Sequence, residues 1–262
     1  MTAELLTIDG LDLAYGPATI LHGVSLTVAP GETVGLVGES GSGKSSTVRA
    51  ALRLLPPTAS VQGRVRIAGR DVFGAGDAEL RRIRAEEVGL IQQDPRGALN
   101  PVRRIGDSLA ERLVKVHGMP RAEARRIGVE LLGAVGITRP EHRLRQFPHE
   151  LSGGMLQRVV IAAALTTRPR LILADEATSA LDVTTQAEVL AILRDQQRER
   201  ELGMLFITHD LHLAAAFCDR VLVMLRGEVV EELGGAALFT GATHPYTRSL
   251  LQAAPKLEEH RR

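Results

Sequence analysis

Gly38-Glu39-Ser40-Gly41-Ser42-Gly43-Lys44-Ser45 decides the architecture of this chain. The octapeptide fits G-x-x-x-x-G-K-[ST]. It follows Thr33 to Val37, an apolar run that reads as a buried strand, and opens Lys44 to Leu55, which reads as a helix stopped by Pro56-Pro57. Its glycines let successive backbone N–H groups curl around the phosphates of a nucleotide. Lys44 then reaches the β- and γ-phosphates, and Ser45 offers its hydroxyl to Mg²⁺.

A second strand carries acids at its tip. Leu171-Ile172-Leu173-Ala174-Asp175-Glu176 delivers two adjacent carboxylates that point in different directions, so Asp175 is free to hold Mg²⁺ through its water shell while Glu176 polarises an attacking water. Alone, such a strand end reads as merely solvated; the phosphate loop gives it a task. Gln93 follows the apolar Val88 to Ile91, and its neutral amide suits ligation of Mg²⁺ or holding of the lytic water. His209 ends the apolar Phe206-Ile207-Thr208. In Leu151-Ser152-Gly153-Gly154-Met155, Ser152 is a good N-cap, and the two glycines bare the first N–H groups of the helix through Leu156, Val159, Val160 and Ala163. With one anion site already at Lys44, this second phosphate-seeking helix predicts a γ-phosphate gripped from both sides by two copies of the fold.

Around these motifs, Leu5–Ile8, Leu11–Tyr15, Val24–Val28 and Val61–Ile67 read as antiparallel strands. From about Arg96 to Glu150 the texture turns helical, with Pro120 as first residue of a helix over Arg121–Val135 and Gly136 as its stop. Beyond it, strands at Leu171–Ala174, Met204–Thr208, Val221–Leu225 and Glu228–Glu231 alternate with a helix over Ala187–Gln197. That alternation predicts a mostly parallel sheet with ligands at the strands' C-terminal ends. The 262 residues, 44% hydrophobic, suffice for a large core. Lys and Arg number 32 against 31 Asp and Glu, so no global field advertises nucleic acid. The single Cys218 makes no internal disulfide and fits a reducing compartment. Met1-Thr2-Ala3-Glu4 lacks the features of a secretory signal and no apolar run approaches a membrane span. The expectation is a protein soluble in itself, held at any membrane by an integral partner.

In this order the motifs resemble those of ATP-binding cassette (ABC) ATPases, and the resemblance covers nearly the whole chain. It implies an α/β fold: a P-loop, RecA-like, mostly parallel core with an N-terminal antiparallel β subdomain and an inserted α-helical subdomain. Residues 1–95 and 156–262 would form the β subdomain and core of a single domain, and about 96–155 the helical part. It implies ATP and Mg²⁺ as ligands. Tyr15 would stack on adenine, and Gly38, Glu39, Ser40, Gly41, Ser42, Gly43, Lys44, Ser45 and Ser46 would hold the phosphates. Ser152, Gly153 and Gly154 would contact ATP on the opposite subunit. Ser45, Gln93 and Asp175 would hold the metal. Glu176, the switch-type His209 and the Q-loop-type Gln93 would be the catalytic groups. Ser179-Ala180-Leu181-Asp182 resembles the D-loop that crosses to the partner, which adds Asp182 to the site.

Several strings look like the importer ATPases for dipeptides, oligopeptides and nickel: Phe147-Pro148-His149-Glu150, Ala98-Leu99-Asn100-Pro101 after Gln93-Asp94-Pro95, Val183-Thr184 after Asp182, and His244-Pro245-Tyr246-Thr247-Arg248-Ser249-Leu250-Leu251. Leu156 and an end at Arg262 without a cysteine-bearing extension point to the nickel-type arm. Met155 departs from the Gln that many ABC proteins carry. The implied partners are transmembrane permease subunits, a second identical or related ATPase and, indirectly, an extracytoplasmic substrate-binding protein, at the cytoplasmic face of the inner membrane. The alternatives are an ABC ATPase of DNA repair or chromosome organisation and a non-hydrolytic regulatory nucleotide binder. Against the first, the 108 residues from Lys44 to Ser152 leave room for a small helical lobe only. Against the second stand Glu176 and His209.

Overall fold

The computed structural model describes residues 4–178 and 181–254; Ser179 and Ala180 of the D-loop-like turn lie outside them. The chain begins with β1 (Leu6–Tyr15) and β2 (Ala18–Val28), then β3 (Thr33–Val37), α1 (Lys44–Ala51), β4 (Ala59–Ile67) and the short β5 (Arg70–Asp71). The order β2-β1-β4-β5 makes a four-stranded antiparallel sheet. Leu5–Ile8 and Leu11–Tyr15, expected as separate strands, belong to one. The pairing of β1 with β2 slips between Ile8 and Leu11, and this irregularity returns Leu11 and Leu13 to the face that already buries Leu6 and Ile8. Helix α1 is shorter than expected because Arg53 takes a left-handed backbone (φ 50°). The Arg84 guanidinium then donates to the Leu52 and Arg53 carbonyls, each at 2.8 Å.

After α2 (Asp77–Arg82) and β6 (Val88–Ile91) comes the helical stretch α3 (Pro95–Ala98), α4 (Ile105–His117), α5 (Arg121–Ala134) and α6 (Pro140–Arg143), followed by α7 (Gly153–Leu165). Pro120 stands one place earlier than expected, at the N-cap of α5. The rest alternates: β7 (Leu171–Asp175), α8 (Val183–Arg200), β8 (Gly203–Ile207), α9 (Leu211–Phe217), β9 (Arg220–Leu225), β10 (Glu228–Gly234), α10 (Leu238–Gly241) and α11 (Pro245–Ala253). Helix α8 begins four residues before expectation because the Asp182 carboxylate caps Thr185 N and starts it there.

The second sheet has the order β10-β9-β3-β8-β7-β6, parallel except for the β10 edge. Its central strands are apolar throughout because both faces are covered. All five residues of β3 and of β8 are buried. Successive side chains feed opposite cores. Ile172, Ala174, Met204 and Phe206 face α7, α8 and α9, while Leu171, Leu173, Leu205 and Ile207 face α1 and the antiparallel sheet. This rigid slab brings the C-terminal ends of β3, β6, β7 and β8 to one edge, and the polar motifs follow those ends.

Candidate active site

Gly38 leaves β3 with φ 149°, and a Cβ there would strike the Met224 carbonyl and come within 2.9 Å of Ser42 Oγ. Gly43, at φ 108°, is the N-cap of α1 and has no side chain to occupy the helix's first amides. The loop therefore wraps inward. Glu39 N and Ser42 N already donate within the protein, and the N–H groups of Ser40, Gly41 and Gly43 make no hydrogen bond among the described residues. The start of α1 adds its positive end, which contains Ser45 and Ser46. Lys44 is only 6% exposed. Its ammonium donates to the Gly38 and Glu39 carbonyls at 2.8 Å each, with Ser42 Oγ at 3.4 Å. Burial lowers its pKa against the fields of Glu176 and Asp175, which raise it.

The loop is fastened from two sides. Ser42 O accepts from Gly227 N at 2.9 Å, and Gly227 O accepts from His22 N at 2.9 Å. The turn between β9 and β10 thus joins the phosphate loop to β2 of the antiparallel sheet. That sheet carries Tyr15, half-buried at the end of β1 and paired with Ala18 and Ala59. Gly227 was missed as a site element: in sequence it reads only as a tight turn.

Residues far apart in sequence meet beside α1. Ser45 Oγ donates to Asp175 Oδ1 at 2.9 Å. Burial raises the Asp175 pKa, the Ser45 hydrogen bond lowers it, and the Glu176 charge raises it again. Glu176 sits just past the end of β7 at φ 48°, a left-handed conformation uncommon for a residue with a side chain. Its N–H donates to Ile207 O at 3.1 Å, fixing it against the neighbouring strand. Glu176 Oε2 accepts from Gln93 Nε2 at 2.7 Å and lies 3.7 Å from His209 Nδ1. His209 is 63% exposed along its side chain, so it has space to reorient.

Ser45, Asp175 and the Gln93 amide are hard oxygen donors. That chemistry fits Mg²⁺, an ion usually held by one or two protein oxygens with substrate phosphates and water. No group of three or more His, Cys, Asp or Glu residues suited to a metal occurs among the described residues.

The Ser152 region stands apart. Ser152 Oγ accepts from Met155 N at 3.3 Å as the cap of α7, and Ser152 and Gly153 are exposed. No hydrogen bond joins Ser152, Gly153 or Gly154 to the phosphate loop among the described residues. Their neighbour is α8. A Cβ on Gly154 would lie 2.8 Å from Thr185 Cγ2, and Thr185 Oγ1 donates to Asp182 Oδ2 at 2.8 Å. Arg158 of α7 pairs with Glu188 of α8 and donates to Val135 O. Gly154, Thr185 and Asp182 are thus one packed unit. Thr185, its hinge, carries no signal in the sequence beyond its place in the capping turn.

The profile of the ABC transporter family matches residues 21–179. The oligopeptide transport ATP-binding protein OppD of Mycobacterium tuberculosis is 48% identical over 245 residues, 92% of this chain and 40% of that protein. This chain therefore spans well under half the length of that relative. The protein of the same name in Bacillus subtilis is 42% identical over 261 residues, covering 97% of this chain and 73% of its own length. Among solved structures, an ATP-binding cassette in a dimeric post-hydrolysis state with ADP and Pi superposes with TM-score 0.77 at 29% identity, over 87% of this chain and 98% of that one. The cbiO1 protein of Clostridium perfringens, part of an ABC transporter complex, gives TM-score 0.78 at 26% identity over 90% of both chains.

Proposed function

The chain belongs to the ABC transporter family and is an ATPase of it, and from that premise we propose that it powers a bacterial importer of short peptides. The observation that carries the catalytic part is the convergence of Gln93, Glu176 and His209 beside the Ser45–Asp175 pair. The peptide cargo rests on the relatives named for oligopeptide transport. Nickel is the second cargo of the branch that the sequence strings resemble.

In this reading the phosphate loop binds the triphosphate through its backbone amides, and Lys44 turns from its own loop carbonyls to the β- and γ-phosphates. Ser45, Asp175 and Gln93 would hold Mg²⁺, which would supply positive charge against the charge developing on the phosphates. Glu176 takes the attacking water's proton, Gln93 orients that water, and His209 donates to the γ-phosphate. Tyr15 lies against adenine. Ser152, Gly153 and Gly154 complete the site of a second subunit, with Asp182 beside them, so ATP draws a head-to-tail pair together and hydrolysis releases it.

The pair works on permease subunits. A cleft of about 350 Å³ beside Gln93, lined by Leu90, Gln92, Leu99, Asn100, Arg103 and Val160, is the proposed seat of a cytoplasmic permease helix. Val102, 79% exposed, lies in the same segment. No helix among the described residues is long and apolar enough to cross a membrane, which accords with a peripheral subunit at the cytoplasmic face. Uptake of labelled oligopeptide and of nickel in a deletion strain lacking redundant systems is the test. Loss of peptide uptake with nickel uptake intact is expected; unimpaired uptake of both would refute the importer reading.

A further inference from the structure

Nothing in the proposed reaction uses His244-Pro245-Tyr246-Thr247, yet hydrogen bonds run from it straight to the phosphate loop. The first fastening is on β10, where Glu231 Oε1 accepts from Thr243 N at 2.6 Å, Thr243 Oγ1 at 2.6 Å and His244 N at 3.0 Å. His244 Nδ1 then accepts from Tyr246 N at 3.2 Å and caps α11, with Pro245 at its first position. Thr247 is buried, and Leu250, Leu251 and Ala254 pack on the core, so the helix is seated rather than trailing.

The seated helix points its tyrosine at the loop. Tyr246 Oη accepts from Glu39 N at 3.2 Å. The carbonyl of the same residue, Glu39 O, accepts from the Lys44 ammonium at 2.8 Å and from Ser42 N at 3.2 Å. Gly38, just before it, is the residue least able to stiffen that peptide, so the orientation of Glu39 needs a partner from outside the loop. Tyr246 is that partner, 207 residues away in sequence.

We propose that Tyr246 is a positioning residue of the ATP site: by holding the Glu39 N–H it fixes the loop peptide whose carbonyl holds Lys44 until nucleotide takes its place, and so ties the strap Thr243–Tyr246 and β10 to the phosphate grip. The proposal rests on the ATPase reading and adds a residue that never touches the reacting atoms. Because the loop is held alike with substrate and in the transition state, the loss falls on binding rather than on turnover.

Tyr246→Phe in the full chain keeps the ring and removes only the hydroxyl. The ATP dissociation constant and KM should rise about three- to tenfold, as for one lost hydrogen bond, with kcat within about twofold and the melting midpoint unchanged. The Glu39 amide should exchange its hydrogen faster, which a purely structural role of the helix would not produce. Unchanged affinity, or a lowered midpoint with unchanged KM and Glu39 exchange, overturns the proposal. Should Tyr246→Phe fail to fold, Glu231→Gln loosens the same strap from its far end and is read by KM and Glu39 exchange alone, because it also lowers the melting midpoint. Lys44→Ala separates the two readings. If it abolishes ATP binding while Tyr246→Phe changes nothing, only the role of Tyr246 falls; wild-type protein that binds no ATP brings down both.

Discussion

In the proposed mechanism the chemistry turns on Glu176, whose left-handed backbone costs of order 1 kcal/mol for a side-chain-bearing residue. The return is separation of tasks: Asp175 faces Ser45 while Glu176 faces Gln93 and His209. Glu176→Gln preserves size and removes the proposed base, so kcat should fall about 10²- to 10⁴-fold, with ATP affinity within a few-fold. Single-turnover hydrolysis beside equilibrium nucleotide binding checks this; a variant turning over at the wild-type rate would remove Glu176 from the chemistry. Gly154 is a poorer probe than its place in the sequence implies, since any side chain there also displaces Thr185. Ser152→Ala is cleaner. It deletes one cap hydrogen bond, about 1 kcal/mol of helix stability, and the hydroxyl proposed to donate to the partner's phosphate. Nucleotide binding by the monomer should survive while turnover drops; equal loss of both would assign Ser152 to its own helix alone.

At the scale of elements, β10 and α11 are joined by one carboxylate. Burial alone would raise the Glu231 pKa, but donation from the Thr243 hydroxyl and from the Thr243 and His244 amides brings it down to about 2. A carboxyl depressed in the folded state contributes stability that is complete above its unfolded pKa, near 4.5, and is lost as pH falls toward 2. The melting-temperature difference between wild type and Glu231→Gln should therefore be largest above pH 5 and shrink toward zero by pH 2; a difference independent of pH would mean the carboxylate's charge is irrelevant to the joint. Elements set by local pattern were legible in sequence: β3, β6 and β7 are apolar runs buried on both faces, and the Ser152 cap starts α7 where the glycines stand. Elements set by tertiary contact were not. The end of α1 depends on Arg84, about thirty residues on, and Val183-Thr184-Thr185 look unhelical until Asp182 is seen capping them.

For the whole molecule, the parallel sheet makes much of the site legible, because the phosphate loop, Gln93, the Asp175–Glu176 pair and His209 each follow a strand whose C-terminal end lies on one edge. Tyr246 and Glu231 escaped because nothing local in sequence records a contact spanning 207 residues. The arrangement also leaves two exposed surfaces that no hydrogen bond joins among the described residues: Glu39, Ser40 and Gly41 on the phosphate loop, and Ser152 and Gly153 at the start of α7. Val183, 82% exposed, lies beside Asp182 on the same unit as Ser152, an apolar side chain that a flat solvent face would not favour. A second copy turned head to tail would cover both surfaces, and ATP between them would supply the anion that each positive helix end seeks. Such a contact must bury at least about 1,000 Å² to persist. Glu176→Gln with Mg²⁺–ATP should accordingly run at twice the monomer mass by light scattering, alone or with a related ATPase chain, and return to monomer when ATP is replaced by ADP. Adding Ser152→Ala should weaken that dimer, and adding Val183→Glu should abolish it by placing a charge in the closing seam. A Glu176→Gln protein that remains monomeric with ATP, alone and with its ATPase partner, would leave the glycine pair without a role in trans.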